Sequence, residues 1–399
     1  MKSNYDILGN HIRLVDTRNK DLVSEQVLGI NIDKFFMPSV ANVIGTDLSK
    51  YKLITKGKFA CNPMHVGRDE RLPVALYSED TPAIVSPAYF MFEIMDSSVL
   101  NEEYLMMWFR RPEFDRLCWL RTDGSVRGGI TWDDICRMEV PVPPMDEQME
   151  TVNSYKAITK RIALKKQIND NLAATVKTVF KSWFLDFNAL DNAELTPSKY
   201  GEIPSGWHYE LLGDLCECVT KGTTPTTLGK DFTEVGINFI KGESINDDHS
   251  FNKTMFAHID EETDKLLQRS RIKENDIVFT IAGTLGKFAL VDKSVVPANT
   301  NQAVAIIRTD KIAPELLYSY LLGDWQVEFY KKNTQQAVQA NLSLTTIKDL
   351  PILLADCESQ EKYFATVKPL ISAIKANFAE IEQLSEMQNQ LLTRLSSSG

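Results

Sequence analysis

The chain has 399 residues, more than one core comfortably organises, so two or more domains are expected. Its 43% hydrophobic and 25% charged residues are ordinary for a globular protein, and no run approaches the ~18 uninterrupted apolar residues of a membrane span. A net charge of −10, from 44 basic and 54 acidic residues, argues against a free-standing nucleic-acid binder, because phosphate contacts supply most of such affinity.

The opening Met1-Lys-Ser-Asn-Tyr-Asp6 has no apolar h-region, so no secretory signal is expected. Residues 1–144 mix short apolar runs with Gly, Pro and Asn breakers, as in Lys52-Leu53-Ile54-Thr55 and Ala88-Tyr89-Phe90-Met91-Phe92. They predict short strands of an α+β domain, followed by a helical stretch at roughly 100–119. Pro141-Val-Pro-Pro144 closes this module. Asp146 and Glu147 then occupy the first turn of a long helix, reaching about Phe187 in a spacer region 145–190. Its stripe includes Tyr155, Ile158, Ile162, Leu172, Val179 and Trp183, with a phase slip near Leu164.

A second module is expected over 191–355, beginning with a polar linker at 191–204. A terminal helix at 356–399 follows, in which Phe364, Val367, Ile371, Ile374, Phe378 and Ile381 alternate three and four apart. That heptad seam needs a partner helix, and the earlier long helix is the natural candidate. At ~1.5 Å per residue each helix spans roughly 60 Å. Two core helices of separate domains would also produce such stripes.

The halves repeat one plan. Tyr5-Asp6-Ile7-Leu8-Gly9-Asn10 is answered by Tyr209-Glu210-Leu211-Leu212-Gly213-Asp214. Glu103, Ile135 and Gln148 are answered by Glu315, Ile347 and Gln360, each 212 positions later (315 against 103, 347 against 135, 360 against 148). Each half also carries a basic run: Arg110, Arg111, Arg116, Arg121, Arg127 and Arg137 in the first, Lys265, Arg269, Arg271, Lys273, Lys287 and Lys293 in the second. A solvated mixed-charge surface would give similar runs.

No catalytic constellation emerges. Gly283-Thr-Leu-Gly-Lys287 lacks the first glycine and the Ser/Thr of a phosphate loop. The five histidines have no metal-ligand spacing, and the six cysteines, without zinc or disulfide spacing, read as reduced cytosolic thiols. A recognition or scaffold component is therefore expected, rather than an enzyme.

Phe180-Lys-Ser-Trp183-Phe-Leu-Asp-Phe187 followed by Gly201-Glu-Ile-Pro-Ser-Gly-Trp207 resembles the junction between halves in specificity subunits of type I restriction–modification systems. Asn62-Pro63-Met64-His65-Val66-Gly67, Val85-Ser-Pro-Ala-Tyr89 and Val140-Pro-Val-Pro-Pro144 are similar to that family's first recognition module. Lys221-Gly-Thr-Thr-Pro225, Gly283–Lys287 and Gln339-Ala-Asn341-Leu-Ser343 are similar to its second. The second copy departs from the pattern: Pro351-Ile-Leu-Leu lacks the double proline, and Ser359 stands where Glu147 does.

The resemblance implies an α+β chain of two pseudo-twofold-related DNA-recognition domains separated by two long antiparallel coiled-coil helices. It implies a non-catalytic, cytoplasmic subunit that reads a bipartite, asymmetric double-stranded DNA target. The helices would set the gap between half-sites and dock two adenine methyltransferase subunits, which carry S-adenosylmethionine. Two restriction subunits using ATP and Mg would join them; the chain itself would hold no cofactor or metal. Side chains able to contact bases or phosphates at the matching turns are Asn62, His65, Arg68, Arg71, Ser125 and Arg127 in the first module. In the second they are Lys221, Thr223, Thr224, Thr284, Lys287, Gln336, Gln339 and Asn341. A protein-binding scaffold of two modules on a coiled-coil rod is the alternative.

Overall fold

The computed structural model describes residues 4–40, 45–64, 66–122, 128–190, 193–323, 328–329 and 341–397. The chain divides into two compact units, residues 1–163 with 382–399, and residues 164–381.

The strands of unit 1 are β1 (Tyr5–Ile7), β2 (Ile12–Leu14), β3 (Val27–Ile30), β4 (Phe36–Pro38), β5 (Lys52–Ile54), β6 (Phe59–Cys61), β7 (Val74–Leu76), β8 (Ala83–Val85), β9 (Phe90–Ile94) and β10 (Glu139–Pro141). One sheet has the order β2-β9-β6-β7 and a second the order β4-β3-β8-β5, while β1 pairs antiparallel with β10. Helix α1 (Val66–Asp69) follows β6. Proline splits the expected helical stretch into α2 (Glu102–Phe109) and α3 (Pro112–Leu120), with Pro112 at the first turn of α3, where its missing N–H costs nothing. The side chain of Asn101 caps α2 by accepting the N–H groups of Glu103 and Tyr104. Phe59 stacks on Phe92 at 5.0 Å, and Phe109 meets Phe114 at 4.9 Å, inside one buried cluster. Each such ring contributes about 1.5–3 kcal/mol through burial. Helix α4 (Trp132–Cys136), capped by Thr131, leads into β10.

Helix α5 (Met145–Phe184) begins in unit 1 and ends in unit 2. Unit 2 then contains β11 (Leu195–Ser198), β12 (Gly201–Pro204), β13 (His208–Leu211), β14 (Cys216–Lys221), β15 (Ile237–Ile240), β16 (Ala257–Ile259), α6 (Glu261–Leu266), β17 (Ile277–Thr280), β18 (Phe288–Leu290), β19 (Ala298–Thr300), β20 (Val304–Thr309), α7 (Pro314–Leu322), α8 (Leu344–Lys348) and β21 (Pro351–Leu354). Its sheet order β14-β20-β17-β18 reproduces the connectivity of β2-β9-β6-β7, and β16-β15-β19 reproduces β4-β3-β8. The pair β13–β21 reproduces β1–β10. The duplication read from the sequence is therefore a duplication of topology.

Two boundaries differ from the sequence reading. The expected linker 191–204 contains a hairpin, β11 paired with β12, whose tip Tyr200 packs on Tyr209 at 4.8 Å. Its polar composition concealed a two-stranded ribbon that keeps only one side covered. The central helix stops at Phe184, and Phe187 sits at φ +56, outside helical geometry. The junction residues Phe180, Phe184 and Trp207 turn out to be core: Phe180 meets Tyr320 at 4.5 Å, and Phe184 meets Trp207 at 5.4 Å.

The terminal helix α9 (Cys357–Ser397) has its seam where expected: Val367, Ile371 and Ile374 are buried, and Phe364, Phe378 and Ile381 are half-buried. On α5, Ile158, Ile162, Leu172, Val179 and Trp183 are half-buried. The seam also includes Tyr363, Leu384, Leu392 and Leu395, all buried. Within unit 2 the helices run antiparallel: Lys165 meets Glu380 at 2.7 Å, and the Asn169 amide donates to the Ile374 carbonyl at 3.3 Å. Within unit 1, Gln388 donates to Thr159 at 2.7 Å, and Val152 and Tyr155 share a core cluster with Leu392 and Leu395. At the phase slip Leu164 is 53% exposed, and Asn169, 4% exposed, takes the buried position. Asn377 donates to Asn169 at 2.8 Å and accepts from Lys165 at 2.9 Å.

Both long helices carry in their first turn a glutamine that ties them to their unit. Gln148, fully buried, accepts the Asn101 N–H at 2.9 Å and donates to the carbonyls of Val99 at 2.9 Å and Pro143 at 2.8 Å. Gln360, half-buried, donates to Ala355 at 2.7 Å. Gln148→Ala should lower exchange protection of the Asn101 amide by roughly 10- to 30-fold, about 1.5–2 kcal/mol, and Gln360→Ala should perturb its neighbours less. Equal effects in amide exchange would contradict this ranking. For the asparagine pair, Asn169→Leu alone should destabilise by about 1–3 kcal/mol, whereas Asn169→Leu with Asn377→Leu should recover most of that loss. Additive losses in denaturant titrations would show that the two amides act independently.

Candidate nucleic-acid interface

In unit 1 the candidate residues follow β6. The Asn62 side chain accepts the Met64 N–H at 3.1 Å, and the Asn62 N–H donates to Pro73 at 2.9 Å, folding the segment into a closed loop. That loop is strapped to the segment beginning at Gly128. Gly67 N–H donates to the Gly128 carbonyl at 3.0 Å, and Ile130 N–H to the Pro63 carbonyl at 3.1 Å. A Cβ on Gly129 would lie 2.9 Å from that Pro63 oxygen, which explains glycine there. Arg68 and Arg71 are exposed on this loop. Arg68 grips Asp69 through Nε at 2.6 Å and Nη2 at 2.9 Å, and that contact raises its pKa. Arg71 reaches Asp33 at 3.2 Å. Exposed pairs of this kind are weakly held, so Arg68 can exchange its carboxylate for a phosphate at small cost, while Arg71, bonded to Asp33 through Nη1, keeps its other N–H donors for a second partner. His65, Ser125 and Arg127 lie outside the described residues.

In unit 2 four segments converge at one end of the β14-β20-β17 sheet. Lys221 is exposed at the end of β14, opposite Ala305, and Thr280 ends β17 opposite Val304. Gly222 N–H donates to Asn301 at 3.1 Å, Ile281 N–H to Ala303 at 2.8 Å, and Leu342 N–H to Ile281 at 3.0 Å. These bonds bring Lys221, Thr223 and Thr224 together with Thr284, Lys287 and Asn341. Gly222 lies so close to the Thr300 carbonyl that a Cβ would approach within 1.7 Å, so the Lys221–Pro225 turn is pressed onto the sheet. Gly283 and Gly286, at φ +77 and +86, shape the turn that carries Thr284. The buried Thr280 hydroxyl accepts the Lys287 N–H at 2.9 Å, closing that turn. Lys287 pairs with the exposed Asp247 at 2.8 Å. Gln336 and Gln339 lie outside the described residues.

The two sites share a frame. The bond from Leu342 to Ile281 repeats the bond from Ile130 to Pro63, and the helix caps Ser343 and Thr131 follow at the same separation of 212 (342 against 130, 343 against 131). The side chains mounted on that frame are unlike. Sequence reasoning missed Gln302, which accepts a hydrogen bond from the Thr224 hydroxyl and is exposed at the centre of the unit 2 cluster. Its signal was the polar run Asn299-Thr-Asn-Gln302 between apolar strands. The basic runs are less available than their sequence suggests. Arg111 is buried, Arg271 is held by Asp264 at 2.6 Å, and Lys273 reaches Glu217 at 3.5 Å. Among the described residues no group of three or more His, Cys, Asp or Glu could hold a metal ion, and no helix is long and apolar enough to cross a membrane.

Comparison with known proteins agrees with this frame. Residues 204–386 match the family described as the type I restriction modification DNA specificity domain. The chain is 22% identical to the type I restriction enzyme HindI specificity subunit of Haemophilus influenzae, over 91% of each chain. It is 22% identical to the MjaIX specificity subunit of Methanocaldococcus jannaschii, over 73% of this chain and 68% of that one. It is 24% identical to the EcoBI specificity subunit of Escherichia coli, over 64% of this chain and 55% of the other. In fold it is similar to the crystal structure of a type I restriction-modification S subunit from M. genitalium, at 15% identity and a TM-score of 0.53, covering 98% of this chain and 95% of that one. Residues 204–386 thus match the type I restriction modification DNA specificity domain, and relatives named as type I restriction enzyme specificity subunits are similar to the chain across both of its halves.

Proposed function

We propose that this chain is the DNA sequence-recognition subunit of a type I restriction–modification complex, and that each unit reads one half of a bipartite, asymmetric target. The observation that carries this reading is the shared frame with unlike tips. Equivalent sheets and equivalent backbone bonds present Arg68 and Arg71 in unit 1, but Lys221, Thr223, Thr224, Lys287, Gln302 and Asn341 in unit 2. Arginine suits guanine and phosphate, and an amide suits adenine, so the two sets favour different base patterns. His65, Ser125, Arg127, Gln336 and Gln339 belong to the proposed surface by their place in the sequence.

Methylation and cleavage reside, on this reading, in partner subunits. Two adenine methyltransferase subunits holding S-adenosylmethionine would dock on the chain, and two restriction subunits using ATP and Mg would join them. Those partners would share the phosphate contacts, which is how a chain of net charge −10 joins a DNA complex.

The test uses the chain co-expressed with its methyltransferase and reads the methylated sites of a genomic library. Arg68→Ala with Arg71→Ala should relax or weaken the first half-site by about 1–3 kcal/mol, and Lys221→Ala with Lys287→Ala the second. Each removed phosphate contact should also reduce the salt slope of binding by about 1. If both double variants shifted the same half-site, or neither altered site choice or salt slope, the two-reader assignment would be wrong.

A further inference from the structure

The loop that carries Arg68 and Arg71 is fastened from beneath by one buried ion pair. Lys34 lies in the turn between β3 and β4 at φ +68 and is only 4% exposed. Its ammonium donates to the Phe109 carbonyl and to Asp115 Oδ1, the latter at 2.8 Å, and lies 4.9 Å from the Phe114 ring centre. The same Asp115 oxygen accepts the N–H of Leu72 at 3.0 Å, one residue after Arg71. Beside Lys34, Asp33 reaches Arg71 itself at 3.2 Å. One carboxylate on α3 thus holds two loops, and those loops meet at the arginine.

Stability alone does not account for this arrangement. Burial pushes the Lys34 pKa down, against the pull of Asp115. Apolar side chains of similar volume often serve a core as well as a buried ion pair does. The pair provides direction instead, because a charged group with two fixed partners has one acceptable position. Lys34 holds the β3–β4 turn, Asp115 holds the β6–β7 loop, and their bond sets the distance between them.

We propose that Lys34 and Asp115 are positioning residues for target recognition, setting Arg71 through Asp33 and the backbone at Leu72. The proposal rests on the preceding reading that this loop faces the first half-site. Neither residue touches DNA in it; they act through Arg71.

The experiment again uses the chain with its methyltransferase, and compares methylation of the cognate site with sites changed at one base in either half. Lys34→Met with Asp115→Leu replaces the pair by apolar groups. The melting temperature should fall by only a few degrees, because the Leu72 N–H loses its acceptor, while discrimination at the first half-site falls about tenfold and the second half-site is unaffected. Asp33→Asn, on the surface and harmless to folding, should lose about threefold at the first half-site alone, because Arg71 keeps its loop but loses its partner. Unchanged discrimination in both variants, with Arg68→Ala/Arg71→Ala impaired, overturns the positioning role and leaves the recognition reading intact. Unchanged discrimination in Arg68→Ala/Arg71→Ala overturns the recognition reading and the proposal with it. Equal loss at both half-sites marks a general folding defect and also overturns the proposal.

Discussion

The pairing of first strand with last strand is the constraint from which each unit is built. β1 lies against β10, and β13 against β21, so the chain enters and leaves each unit side by side. Ladder hydrogen bonds fix that pairing, and a long helix begins within a few residues of it. Gln148 then makes three hydrogen bonds at the helix start, donating to two carbonyls and accepting one N–H, and Gln360 donates to one carbonyl. Everything between the paired strands is a closed excursion. Its ends are held by backbone, which is indifferent to side chain, so the loops within it are free to differ between the units.

Electrostatics follow the same division of labour. The candidate cations Arg68 and Arg71, both exposed, and the half-buried Lys287 each rest on a carboxylate of their own unit. Such pairs hold their cations extended at little energetic cost, because water already screens them. The buried pair of Lys34 and Asp115 belongs to another class. Its two side chains are largely covered and each holds a further backbone partner, so it transmits geometry instead of charge.

Much of this was legible in the sequence. The offset of 212 between the halves marked positions that the fold makes equivalent, such as Ile135 and Ile347, the buried residues of α4 and α8. The heptad alternation on α9 located Val367, Ile371 and Ile374, because a buried helix face must recur with the helical period. The hairpin at Leu195–Pro204 was hidden, since a mostly exposed ribbon carries little apolar pattern. The burial of Lys34 and Arg111 was hidden as well, because composition ranks both as surface residues and only the tertiary neighbours reverse that. Gln302 escaped because it gains meaning from Thr224, 78 positions away in the chain.

The asparagine pair in the helix seam has a consequence for how these helices can change length. Asn169 and Asn377 satisfy one another only in the present register; any slip sets both amides against hydrocarbon, at about 1–3 kcal/mol each. Insertions that are not whole heptads would rotate one amide out of the seam and an aliphatic residue off it. The helix pair therefore behaves like a ratchet with a single notch: its length is a quantised property, inherited in steps of two turns instead of drifting residue by residue.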